Sequence, residues 1–196
     1  MAIEAILPMI GDGARALVER ALRFARDRRR TVASGGPEAH ERDLLERTVA
    51  LFMRHYTDKP VVYTRLLPGA REALALGLPS AVVTNKPRAV TVLVLEQLGI
   101  AGSFGAVYAG GDGPLKPSPD GVLQVAKELG VAPDHAWLIG DGPQDVLAGR
   151  AAGCFTVAVP GIAQRERVLA AKPHLVVDSL LEVARLAGGA RGVTSA

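Results

Sequence analysis

The chain has 196 residues, 23 Lys and Arg against 20 Asp and Glu for a net charge of +3, and a 48% hydrophobic fraction that is poor in aromatics. That length and composition suit one domain, or a domain with a small insert, whose core is built from Ala, Val and Leu. A single cysteine, Cys154, excludes an internal disulfide framework and fits a reducing, cytoplasmic setting, and no apolar run approaches the roughly 20 residues that a membrane span needs.

In chain order, Met1–Ile10 carries Glu4 where a signal peptide would be basic, so it is read as a lead-in and not as a leader. Ala14–Ala25 places Ala14, Leu17, Val18, Ala21, Leu22 and Ala25 on one helical stripe. Arg23, Arg26, Arg28, Arg29 and Arg30 follow at its end. They read as a solvated helix terminus favoured by the negative end of the dipole, and not as a nucleic-acid patch, because no aromatic residues are interleaved. Thr31–Pro37 is a predicted loop. Glu38–Tyr56 is a second predicted helix on Leu44, Leu45, Val49, Leu51 and Phe52, antiparallel to the first.

After Pro60 the pattern changes to alternating strands and helices. A helix opens at Pro68-Gly69 and closes near Gly77. Ser80–Val83 is a strand ending at Thr84-Asn85-Lys86-Pro87, and a helix then runs to Leu98 and stops at Gly99. Ala106–Ala109 is a strand, Pro119–Gly130 a helix and Trp137–Ile139 a strand. Val146–Ala152 is a helix ended by Gly153. Phe155–Val159 and His174–Val177 are the last strands, before a C-terminal helix and a Gly- and Ala-rich tail from Gly188. This alternation predicts an α/β fold with a parallel, doubly wound sheet covered on both faces.

Polar groups concentrate at three predicted strand ends. Thr84 offers a hydroxyl, and the backbone N–H groups that open the next helix form an anion site. Lys116 lies in a loop stiffened by Pro114, Pro117 and Pro119. Asp141 and Asp145 follow Leu138-Ile139-Gly140. Ligands of open parallel sheets bind outside the carboxyl ends of the strands, which places the two carboxylates for a hard cation such as Mg²⁺. The plainer alternative is that Asp145 caps a helix and Asp141 makes the turn. A hydroxyl, an ammonium and metal carboxylates at one sheet edge can position and neutralise phosphoryl oxygens.

On these residues the chain resembles the haloacid dehalogenase superfamily of phosphatases, most closely its phosphoglycolate phosphatase branch. Ala81-Val82-Val83-Thr84-Asn85-Lys86-Pro87 is similar to the family's second motif and Lys116-Pro117-Ser118-Pro119 to its third. Gly140-Asp141-Gly142-Pro143-Gln144-Asp145, running on to Ala152-Gly153, is similar to its fourth, with Gly142 in place of the usual Ser. Ile10-Gly11-Asp12-Gly13-Ala14-Arg15 resembles the substrate-facing loop of the branch's helical cap. The resemblance implies a helical cap over residues 1–62, a core over 63–188 and a flexible tail over 189–196. It implies phosphoryl binding by Thr84, Asn85 and Lys116, with Thr84 and Lys116 as the surviving catalytic groups, and substrate contact from Gly11, Gly13 and Arg15. Asp141 would ligate Mg²⁺, held weakly, and Asp145 would support it directly or through water. The implied partner is a small phosphorylated metabolite, with neither nucleic acid nor membrane.

The family's first motif, an apolar strand followed by Asp-x-Asp-Gly-Thr, is not found before the cap motif. Its first Asp is the nucleophile and its second the general acid/base. By family topology that strand lies between the Ala81–Val83 and Leu138–Ile139 strands. The expectation is therefore a sheet lacking its first core strand, negligible turnover by these 196 residues, and an exposed edge able to recruit another strand or form a homodimer. A non-catalytic phosphoanion-binding or interaction module is the alternative. Ala5–Gly13 can also be read as a degenerate first motif with Asp12 as its acid. That reading leaves Ile10 at the nucleophile position and puts Pro8 in a central strand, where proline is disfavoured.

Overall fold

A computed structural model describes residues 3–29, 38–161 and 164–190. The predicted Thr31–Pro37 loop and residues 191–196 of the predicted tail lie outside them. Short helix α1 (Ile3–Ile6) and a 3-10 turn (Leu7–Met9) lead into α2 (Ala14–Arg29) and α3 (Glu38–Asp58). Ile3–Met9 is thus helical, which removes the strand that a degenerate first motif at Ala5–Gly13 would need. Cross-pairs Arg15–Glu46 and Arg26–Glu41 show that α2 and α3 run antiparallel, as the apolar stripes predict. These pairs are exposed and contribute little to stability.

The remaining order is α4 (Ala70–Leu74), β1 (Ala81–Pro87), α5 (Arg88–Gln97), β2 (Ala106–Gly110), α6 (Asp120–Glu128), β3 (Trp137–Gly140), α7 (Pro143–Ala152), β4 (Phe155–Ala158), α8 (Arg165–Ala170), β5 (Leu175–Val176) and α9 (Leu180–Ala190). All pairings are parallel, but the sheet is in two pieces: β1 pairs with β2, and β3-β4-β5 form a second sheet. Among the described residues no backbone ladder joins β1 to β3, the two strands between which the sequence reading expects a missing one.

Helices α6 and α7 carry both pieces. Val83 of β1 and Leu138 of β3 pack against one cluster made of Val122 from α6, Ala148 and Ala152 from α7, and Cys154. Alternate residues of β4 face opposite ways, as a strand requires. Thr156 lies against Gly149 of α7, close enough that a Cβ at Gly149 would stand 2.6 Å from its Cγ2. Val157 instead packs on Val177 and on Val183 of α9. The second sheet is therefore covered on both faces at β4. Towards the break it is not: Ile139 is 40% exposed, whereas its register partner Val157 is 1% exposed.

Among the differences from the sequence reading, three stand out. Strand β1 continues through Pro87, beyond its apolar run, with an irregular register between Val83 and Pro87 that takes Thr84, Asn85 and Lys86 out of the ladder. Helix α8 is not foreseen: of its six residues only Val168 is buried, so its apolar stripe is too thin to read. Helix α9 runs through Gly188 and Gly189 to Ala190, where the sequence predicts the tail.

Candidate functional site

The irregular end of β1 leaves polar groups free for other work. Thr84 Oγ1 accepts from the Lys86 N–H at 3.1 Å, so its own hydroxyl proton remains available to a ligand. Asn85 is 7% exposed, and its side chain is spent on backbone: Nδ2 donates to Gly11 O and to Lys116 O, both at 2.9 Å, and Oδ1 accepts from Lys116 N–H at 2.8 Å. The amide expected to hold a phosphoryl group thus ties the Lys116 loop and the N-terminal loop to β1. Lys86 Nζ donates to Tyr56 Oη at 2.7 Å and stands 5.2 Å from the centre of that ring, linking the end of β1 to α3.

Lys116 precedes a cis peptide bond to Pro117. Its Nζ donates to Val83 O at 2.6 Å and to Asp145 Oδ1 at 2.5 Å, and both charged side chains are largely buried. An ammonium has three donors, so one remains to aim at a ligand. The other Asp145 oxygen accepts from the Gly142 N–H at 3.0 Å, which satisfies an orphan donor at the start of α7. Pro143 opens that helix, and Gly153 closes it with φ of 83°. Gly140 is required where Asp145 crosses the strand end, because a Cβ there would stand 2.3 Å from Asp145 Cβ. The capping alternative for Asp145 therefore holds, together with its place in the charge cluster.

Asp141 keeps one side open to solvent. Desolvation by the surrounding chain, and then the negative charge of Asp145, raise its pKa above the ordinary carboxylate range, with Lys116 pulling the other way. Among the described residues no cation lies within ion-pair distance of it, and no group of three or more His, Cys, Asp or Glu converges as a metal cluster. Asp141 and Asp145 are donors of the right kind for Mg²⁺, which accepts one or two carboxylates and keeps several waters. Asp145 would have to share its Lys116 partner.

The N-terminal loop lies on this edge. Gly11 (φ 126°) has its carbonyl on Asn85, and a Cβ on it would lie 3.3 Å from Gln144 Nε2. Gly13 (φ 90°) lies against Asn85 O and Leu115. Both are positive-φ positions that favour glycine. Arg15 does not join them: its guanidinium is held by Glu46 on the exposed side of the helix pair. Sequence reasoning missed Gln144, whose Nε2 donates to Asp12 Oδ1 at 2.7 Å, and Arg20, which pairs with Asp12 Oδ2 and donates to Met9 O at 2.9 Å. Burial raises the Asp12 pKa, but the Arg20 and Gln144 hydrogen bonds outweigh it and hold the carboxyl below its usual value. Gln144 lies inside the acidic motif, so its position was the one available signal. A cavity of about 290 Å³ lined by Asp134, Arg150, Cys154, Phe155 and His174 lies at the opposite, amino-terminal edge of the second sheet and includes none of the predicted residues.

The model of the haloacid dehalogenase-like hydrolase family matches residues 3–153. Phosphoglycolate phosphatases of Shigella boydii serotype 4 (strain Sb227) and Escherichia coli (strain K12) are 35% identical over 189 residues, covering 90% of this chain and 75% of theirs. Among solved structures, a predicted phosphoglycolate phosphatase from Haemophilus somnus 129PT matches with a TM-score of 0.81 at 24% identity, covering 95% of this chain and 83% of that one. CbbY from Rhodobacter sphaeroides, solved in complex with phosphate, matches with a TM-score of 0.65 at 22% identity over 92% of this chain and 78% of that one.

Proposed function

The chain belongs to the haloacid dehalogenase-like hydrolases and is phosphoglycolate phosphatase-like, and we propose that its strand-end site binds the phosphoryl group of a small phosphorylated acid beside Mg²⁺. The observation that carries this reading is the Lys116 ammonium, largely buried between the end of β1 and the acidic turn with a donor to spare. The Thr84 hydroxyl donates to a phosphoryl oxygen, and Lys116 neutralises a second. Asn85 fixes the Lys116 loop so that neither group must be ordered on binding. Asp141 would hold the metal, with Asp145 in support. When bound, Mg²⁺ would neutralise phosphoryl charge.

Turnover needs a nucleophilic carboxylate beside Lys116. Asp145 is engaged by Lys116 and Gly142, and Asp141 would be given to the metal, so in this reading these residues bind and orient but do not attack phosphorus. The test is hydrolysis of 2-phosphoglycolate with and without Mg²⁺, alongside phosphate binding by calorimetry. The expected result is phosphate binding without appreciable hydrolysis. Mg²⁺-dependent turnover that disappears in Asp141→Ala would overturn the inactive reading, and equal phosphate binding by Lys116→Ala would overturn the site itself. A buried single cysteine, Cys154, accords with a reducing cytoplasm. Among the described residues no helix is long and apolar enough to cross a membrane.

The divided sheet favours a second reading, an interaction module. Among the described residues, strands β1 and β3 each lack a ladder partner on one side, and β3 also exposes Trp137 and Ile139. Such edges accept a further strand, either from a partner or in a homodimer. A well-folded monomer across a concentration series in light scattering would remove this reading.

A further inference from the structure

The loop from Ile10 to Gly13 meets the strand-end site at three places. Gly11 O accepts from Asn85, Gly13 fits closely against Asn85 O and Leu115, and Asp12 Oδ1 accepts from Gln144 Nε2. The first two use backbone and shape. The third joins two side chains, and it lands on the first turn of α7, which also carries Asp145. Arg20 holds the second Asp12 oxygen and also the Met9 carbonyl, so the carboxylate is presented to Gln144 in a fixed direction. A neutral amide donating to a charged carboxylate makes a stronger bond than an amide pair.

We infer that Gln144 is a positioning residue: with Asp12 it clasps the N-terminal loop onto the core and so sets how closely that loop covers the Thr84 and Lys116 edge. What the loop covers rests on the phosphoryl-site reading above; the clasp itself does not. Gln144 is adjacent in sequence to Asp145, and any coupling between ligand at the acidic turn and the seated loop acts equally in both directions.

The readout is hydrogen exchange of the Asn85 side-chain amide by NMR in the full chain, since the seated loop receives one of its protons at Gly11 O. Gln144→Glu sets a carboxylate against Asp12, and the exchange rate should rise about tenfold or more, the fold-change that loss of a hydrogen bond to a charged group implies. Adding Asp12→Asn to Gln144→Glu restores a donor–acceptor pair and should return the rate towards the parent. That rescue is not expected of a residue that merely supports the fold. The inference is overturned if Gln144→Glu leaves Asn85 exchange unchanged, or if the double variant exchanges as fast as the single one while both melt like the parent. In the parent, inorganic phosphate should slow the same exchange, and in Lys116→Ala it should not. If phosphate binds calorimetrically but slows nothing, the loop does not cover the site. If phosphate does not bind while the rescue holds, the clasp stands and the phosphoryl-site reading falls.

Discussion

The Nζ of Lys116 stands 2.5 Å from Oδ1 of Asp145, and the same ammonium donates to Val83 O, so one side chain spans from β1 to the first turn of α7. It crosses the place where the backbone ladder is interrupted. Lys116→Ala leaves a mostly buried carboxylate and a strand-end carbonyl without their partner, at a cost of roughly 1–3 kcal/mol. Urea unfolding should show this loss of stability, and calorimetry the loss of phosphate binding. A variant with unchanged stability would mean that water replaces the ammonium.

Asp141 lacks an ion-pair partner among the described residues, so Asp141→Asn should leave the protein folded. Its effect should appear only with metal. Mg²⁺ in excess of its Kd raises the melting temperature of the parent by mass action, and this increment should be absent from the variant. Equal Mg²⁺ shifts in both proteins would remove Asp141 from the metal site.

Gly140→Ala introduces a methyl 2.3 Å from Asp145 Cβ. The carboxylate must then leave Lys116, or the α7 turn must shift. Overpacking of this kind costs roughly 1–3 kcal/mol, which for a chain of this size lowers the melting temperature by about 2–4 °C per kcal/mol. Phosphate affinity should fall with it, since Lys116 loses its guide.

Away from the site, Arg88 binds Asp112, which also accepts from the buried Ala109 N–H at 2.8 Å. The Arg88 hydrogen bond, set against desolvation and helped by the Ala109 N–H, holds the Asp112 carboxyl below its ordinary value. A carboxyl with a depressed folded pKa contributes stability above its unfolded value, and that contribution is lost as pH falls through the folded value. Stability should therefore decline below about pH 4 more steeply in the parent than in Asp112→Asn. Parallel pH profiles would contradict the assignment.

How much of this could be read from the sequence follows from how local each signal is. Strands β3 and β4 and the capped α7 are written in adjacent residues, a short apolar run followed by Gly, Pro and Asp, and they were legible. Helix α8 was not, because a single buried valine gives no period. The resemblance implies that Asn85 joins Thr84 in holding a phosphoryl group; that its side-chain amide also bonds Gly11 and Lys116, 74 and 31 residues away, is visible only in the folded chain. The Asp12–Gln144 contact spans 132 residues, and beyond the place of Gln144 inside the acidic motif nothing local signals it. Arg15 shows the converse: its motif position suggested the site, but α2 turns it towards Glu46.

The shared wall formed by α6 and α7 has a consequence for how this fold can drift. Within each sheet, position is fixed by backbone bonds that any residue except proline supplies. Across the seam it is fixed by side-chain identity: Val83 and Leu138 on one cluster, Lys116 on Asp145. Substitution elsewhere in the core mostly alters stability. Along this seam it can alter the angle between the two halves, and with it the spacing of Thr84 and Asp141, so the join is the part of the architecture that inheritance can most readily retune.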